Sequence, residues 1–275
     1  LQITQLKMKT KGLVSSDKSI EALVAKGVLR LEIDTTRGDA VKEDTPEKVP
    51  SKNAEAEVEK PEVLSDSEQI EAATKLYDDA LVIQSRFFKR MAAKDAVSLD
   101  NVKQLSSKFI DSVMVMPNGM SCLSLLNKTG KYLLEHSLNC SILLTMFAKS
   151  KNMSKEEIES LSLAGLLMDV GMTNMPDEIT KSPKKLTASQ HEMMTTHVDI
   201  GLDLVEKCGD ISDIVRDIIF NHHERIDGSG YPDAQSKEDV SIYTRMAAIV
   251  DSYDAMTSAR LFRKPITPSK ALSRL

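Results

Sequence analysis

From Gln69 onward the apolar residues of this chain recur with helical spacing, and no strand-type alternation of useful length follows. Ile70, Ala73, Tyr77, Ala80, Gln84, Phe87 and Met91 fall on one stripe of a helix. Such a stripe either faces a core in its own chain or pairs with its copy in a dimer. A second helix is expected over Asn101–Val115, ending before Pro117, and a third from about Leu123 to Lys149. Two capping boxes, Ser154-Lys-Glu-Glu157 and Thr187-Ala-Ser-Gln190, mark later helix starts. Thr267-Pro268 is a cap followed by proline at the first helical position. Residues 69–275 are therefore expected to form an all-α domain. Composition suits helix packing, with no Trp, 4% aromatics and 14 Met.

The first forty residues differ. Gly12-Leu13-Val14 has the character of a short strand, and Ser19–Lys26 has helical spacing that stops at Gly27. Leu29, Leu31 and Ile33 then alternate with Arg30, Glu32 and Asp34, the pattern of a half-buried strand. Residues 1–40 read as a small α+β module, too short to bury much by itself. Residues 41–68 read as a flexible linker: 13 of the 28 are charged and three are proline.

Charge and cysteine usage exclude several classes. The net charge is −5, with 36 basic and 41 acidic residues, so a chain-wide basic footprint for nucleic acid is missing. Cys122, Cys140 and Cys208 are few, odd in number and far apart, as in a cytoplasmic protein with reduced thiols. The longest apolar runs, near Ile142–Ala148 and Leu161–Met168, are too short or too interrupted for a membrane span. Leu1–Lys11 carries Lys and Gln where a signal peptide needs an apolar core.

The five histidines carry the chemistry. His222 and His223 are adjacent, His197 lies 25 residues earlier and His136 a further 61 back. Asp169 follows the apolar stretch Leu161–Leu167, and Asp251 follows Met246–Val250. Imidazoles with carboxylates suit divalent iron, manganese, cobalt or zinc. A carboxylate bridging two ions, with histidines outside it, is how a two-metal hydrolase activates water. Singly, each histidine is an ordinary core or surface residue; the adjacent pair is the less ordinary feature.

The residues that follow are more specific. Asn221-His-His-Glu-Arg-Ile-Asp-Gly-Ser-Gly-Tyr-Pro232 resembles the signature of the HD-GYP family, a bacterial branch of the HD phosphohydrolases. Met175-Pro-Asp-Glu-Ile179, Leu186-Thr187, Glu192, His197 and Ile200-Gly201 resemble further landmarks in register. So do Arg245, Asp251, Asp254-Ala255, Thr257-Ser258, Arg260 and Arg263-Lys264. The resemblance covers about residues 69–275. The first module resembles the small domain of unknown function that often precedes HD-GYP domains. In the family the helical domain continues further, so a C-terminal truncation is expected, with Leu275 inside a helix.

The resemblance implies a helical bundle holding two metals, iron or manganese, and hydrolysis of cyclic di-GMP or a related cyclic dinucleotide. One metal would take His136, residue 168, Asp169 and Asp251; the other would take Asp169, His197, His222 and His223, with Asp169 bridging. Tyr231, Arg260 and Arg263 would meet the substrate, and Asp254 would orient a histidine or cap a helix. His191 has no place in this pattern and reads as surface.

This chain departs from the family at chosen points. Met168 stands where the family has the histidine of its His-Asp pair, and thioether is a poor ligand for Fe(II) or Mn(II). Met172 replaces a lysine that would contact phosphate, and Asn139 an arginine. Tyr132 occupies the position where a third-metal variant needs Glu, and Glu135 would point elsewhere, so no third metal is expected. The first metal site is thus expected to be weak and hydrolysis impaired. The alternative is an inactive domain that binds a cyclic dinucleotide or a signalling protein. A homodimer through a helix stays open beside both.

Overall fold

The computed structural model describes residues 65–275 apart from 96, 125–130, 183 and 260–263. The α+β module and the linker up to residue 64 lie outside the described residues, as do Arg260 and Arg263. All described residues belong to the unit Pro61–Leu275.

Helix α1 spans Asp66–Ala92 and starts three residues before the expected Gln69. The physical reason is Ser65, whose hydroxyl accepts the Glu68 N–H while Glu68 accepts the Ser65 N–H, closing a capping box inside the stretch read as linker. The buried stripe of α1 is also shifted: Gln69 is buried, whereas Ile70 is 40% exposed. Ala73, Tyr77, Ala80, Gln84, Phe87 and Met91 are buried within the chain itself, so the stripe faces its own core.

Helix α2 (Asp100–Val115) ends before Pro117, as expected, and is followed at once by α3 (Pro117–Leu123), a short helix where none is expected from the sequence. Pro117 opens α3, because a first-turn position needs no N–H from it. The next helix, α4, is Tyr132–Ser150; Leu123 ends α3 rather than starting α4. Helix α5 (Lys155–Leu167) begins at the Ser154 capping box.

A 3₁₀ turn (Val170–Asn174) then leads to α6 (Asp177–Thr180), α7 (Ala188–Thr195) and α8 (His197–Glu206), with the Thr187 capping box starting α7. Helices α9 (Asp213–Asn221) and α10 (Ile242–Thr257) are capped by Ser212 and Ser241. The last helix, α11, is Pro268–Leu272, so Leu275 lies beyond it; the turn closes with the Ser273 N–H on the Ser269 carbonyl. No strand occurs among the described residues, only an isolated bridge between Asp227 and Ser236.

Helices α4 and α5 are the hub. Eleven residues of α4 are buried, polar and apolar alike, so it runs through the core rather than along it. Its polar groups are satisfied inside: Ser141 donates to the Ser162 carbonyl (2.7 Å), and Gln84 of α1 donates to the Leu166 carbonyl (2.7 Å). Gly165 lets α5 lie against α4, since a Cβ there would meet the Ser141 backbone at 2.5 Å. No helix among the described residues is long and apolar enough to cross a membrane.

Candidate metal centre

The end of α5, the start of α8, the end of α9 and the middle of α10 converge beside α4. Ligand-type atoms of Asp169, His197, His222 and His223 lie within 4.8 Å of one another, and so do those of His136, Asp169 and Asp251. Asp169 belongs to both groups. Its Oδ2 lies 3.1 Å from His136 Nε2, and its Oδ1 lies 3.5 Å from His197 Nε2 and 3.8 Å from His222 Nε2. Asp251 Oδ1 is 3.1 Å from His136 Nε2, and its Oδ2 is 3.9 Å from His223 Nδ1.

Backbone packing sets this convergence. A Cβ on Gly171 would meet the His197 carbonyl at 1.9 Å and the Gly201 nitrogen at 2.7 Å. Only glycine lets the turn after Asp169 press on the first turn of α8 and bring Asp169 to His197.

The histidines are oriented by what their far nitrogens bond. His197 Nδ1–H donates to the Met194 carbonyl (2.7 Å), and His222 Nδ1–H donates to the Ile218 carbonyl (3.0 Å). Their Nε2 atoms are buried, face Asp169 and have no hydrogen-bond partner. Two orphaned imidazole lone pairs beside a carboxylate form a donor set that fits a divalent transition metal. His136 is oriented by Asp254, whose Oδ2 accepts from Nδ1–H at 2.6 Å. The Tyr132 ring stacks on His136 with centroids 5.1 Å apart, and buried Glu135 is in neither ligand group.

Burial dominates the titration behaviour. It lowers the pKa of His197, and it holds His223 well below the ordinary 6.5 with help from the adjacent His222. Burial opposes charge on His222 too, but the nearby negative charges of Asp169 and Asp251 outweigh it and raise that pKa. At His136 burial is outweighed by Cys140, Tyr132 and the bonds to Asp169 and Asp251, and the pKa rises well above 6.5. Asp169 is buried, yet His136 and His222 hold its carboxyl well below 3.8.

Met168, in the position of the family's histidine, is fully buried in the apolar core. Met172 is half-buried. Tyr231 stacks on His223 (centroids 4.6 Å, 26° between planes) and closes one side of the cluster. His191 is exposed and stands edge-on to Tyr231 at 6.3 Å. Two residues of the network carry roles that the sequence does not assign them. Glu224 is buried and accepts the Asp233 N–H (2.7 Å) and Gln235 N–H (3.0 Å), which holds the loop that carries Tyr231. Asn139 donates to Asp254 Oδ1 (2.8 Å). The sequence signal for Glu224 was its place directly after the histidine pair; Asn139 gave none beyond replacing an arginine.

Comparison with known proteins places this arrangement. The HD domain family matches residues 120–275, and a domain of unknown function, DUF3391, matches residues 5–102. The cyclic di-GMP phosphodiesterase PA4108 of Pseudomonas aeruginosa is 31% identical over 208 residues, 76% of this chain and 50% of that protein. The cyclic di-GMP phosphodiesterase response regulator RpfG of Xanthomonas campestris is 34% identical over 131 residues, 47% of this chain and 35% of its own. The 3'3'-cGAMP-specific phosphodiesterase 2 of Vibrio cholerae is 30% identical over 149 residues, 54% of this chain and 28% of its own. This chain thus spans half or less of the length of these relatives. The solved structure of Bd1817, an HDG"Y"P protein from Bdellovibrio bacteriovorus, superposes with a TM-score of 0.60 at 15% identity, over 80% of this chain and 68% of that one. The chain belongs to the HD domain family.

Proposed function

We propose that this chain is a metal-dependent phosphodiesterase domain for a cyclic dinucleotide, cyclic di-GMP first, in a cytoplasmic bacterial signalling protein. The observation that carries the reading is the pair of buried, unpartnered Nε2 atoms of His197 and His222 aimed at Asp169. The relatives' names, cyclic di-GMP and cGAMP phosphodiesterases, supply the substrate class.

His197, His222, His223 and Asp169 would hold one ion, and His136, Asp169 and Asp251 the other; iron or manganese suits these nitrogen and oxygen donors. Two such ions supply Lewis acidity and a water of lowered pKa for attack on phosphorus. The chain's own part is orientation. Met194 and Ile218 carbonyls fix the His197 and His222 tautomers, and Asp254 fixes that of His136. Tyr231, held by the Glu224-anchored loop, offers a ring beside the cluster for the ligand. Arg260 and Arg263 are the proposed phosphate partners, through bidentate guanidinium contacts.

A second reading, binding without cleavage, is favoured by Met168. Its burial among apolar side chains leaves the first ion three ligands. The test is cyclic di-GMP turnover with anaerobic Fe(II) or Mn(II), run beside the Met168→His, Met172→Lys double variant. Turnover by both proteins supports the enzyme. Turnover by the double variant alone supports a binding domain, and turnover by neither refutes the cyclic di-GMP assignment.

A further inference from the structure

We propose that Tyr77, on α1 and outside the segment matched to the HD domain family, is a positioning residue for the first metal site. The Tyr77 hydroxyl is wholly buried and donates to Asn139 Oδ1 at 2.9 Å. That bond decides which way the Asn139 carboxamide faces, turning its Nδ2 onto Asp254 Oδ1 at 2.8 Å. Asp254 takes a second bond on the same oxygen from Ser258 (3.1 Å), and its other oxygen holds His136 Nδ1–H at 2.6 Å. His136 Nε2 is thereby aimed between Asp169 and Asp251, 3.1 Å from each. The chain of bonds runs from α1 to α4 to α10 and back to α4.

Every member of this relay is buried and has its partner, so losing one leaves an amide or carboxylate facing the wrong group. A phenylalanine at 77 would fill the same space but let the Asn139 amide turn over. The second site has no such dependence, because His197 and His222 are fixed by carbonyls one turn away on their own stretches of chain. Helix α1 also reaches the other arm of the first site: Gln84 donates to the Leu166 carbonyl, three residues before Asp169. Residues 66–92 fall within the segment matched to the domain of unknown function, so part of that segment is a working wall of the metal centre.

The inference rests on reading the cluster as a two-metal centre. The test is Mn(II) titration of the full chain followed by electron paramagnetic resonance, which separates isolated ions from a spin-coupled pair. Wild-type protein should show a tighter and a weaker ion, coupled through Asp169 at saturation. Tyr77→Phe should weaken the weaker ion about tenfold and leave the tighter one unchanged. In an Asn139→Ala background, Tyr77→Phe should add nothing. An unchanged weaker ion in Tyr77→Phe, or an equal loss at both ions alongside a lowered melting temperature, overturns the positioning role. A wild-type protein that never forms the coupled pair overturns the two-metal reading, and this inference with it.

Discussion

Gly171→Ala is the sharpest test of how the fold makes the site. The added Cβ would sit 1.9 Å from the His197 carbonyl and 2.7 Å from the Gly201 nitrogen, where real Cβ atoms essentially never approach under 3.0 Å. Both obstacles are backbone, so the turn and α8 must part by at least about 1 Å, at an overpacking cost of roughly 1–3 kcal/mol. For a domain of this size that lowers the melting temperature by roughly 2–12 °C. The same movement separates Asp169 Oδ1 from His197 Nε2, 3.5 Å apart, on the two sides of the widened gap. Metal–ligand distances tolerate only about ±0.2 Å, so Mn(II) affinity should fall at least tenfold, more than the stability loss alone explains. The assay is a thermal melt without metal and a Mn(II) titration well below the melting point. A variant with unchanged affinity would refute the argument that close backbone contact at Gly171 sets the ligand geometry.

Other outcomes follow from the same contacts. His223→Ala should abolish tight metal binding while His191→Ala leaves it intact, because His191 is exposed and in neither ligand group; a metal titration that finds equal effects refutes the ligand assignment. Glu224→Gln puts an amide N–H against the Asp233 or Gln235 N–H, and should cost about 1–3 kcal/mol in chemical denaturation and raise KM for the dinucleotide more than it lowers kcat. Metal affinity should rise with pH from 6 to 8, since His136 and His222 have raised pKa values and must shed protons to ligate; a flat Mn(II) affinity over that range would contradict it. In the metal-free protein His136 and His222 act in the reverse sense, against the lowered His197 and His223, whose contribution is lost as pH falls. The stabilisation from these two raised groups is complete below about 6.5, their unfolded value, and is lost as pH climbs through the folded values, which the difference between metal-free melting series of wild type and His222→Ala would read for His222.

The helical class and the ligand cluster were legible in the sequence because both are written in local signals. Capping boxes at Ser154 and Thr187 start helices in the structure where the side chains announce them. The histidine pair ends α9, with His222 at its C-cap. What the sequence hid was set by partners far along the chain. Nothing local says that Gln69 rather than Ile70 turns inward, and nothing local marks Asn139, whose role exists only once Tyr77 and Asp254 flank it. The break at Pro117 was readable as an end but not as a new start, since proline ends one helix and opens another by the same missing N–H.

The two halves of the centre differ in the same way, and that difference gives Met168 its meaning. The second half is built from short-range bonds: His197 to Met194, His222 to Ile218. The first half leans on contacts spanning more than a hundred residues, His136 to Asp254 and Asn139 to Asp254. On the proposed two-metal reading, a methionine at 168 removes one ligand from the half that leans on the longer-range contacts, and its apolar side chain is buried in the core. Met168→His should therefore leave the melting temperature of the metal-free protein equal or lower, because it buries an imidazole, and should strengthen only the weaker Mn(II) site. If the variant instead tightens both ions equally, the two halves are not separable and the asymmetry read from these bonds is wrong.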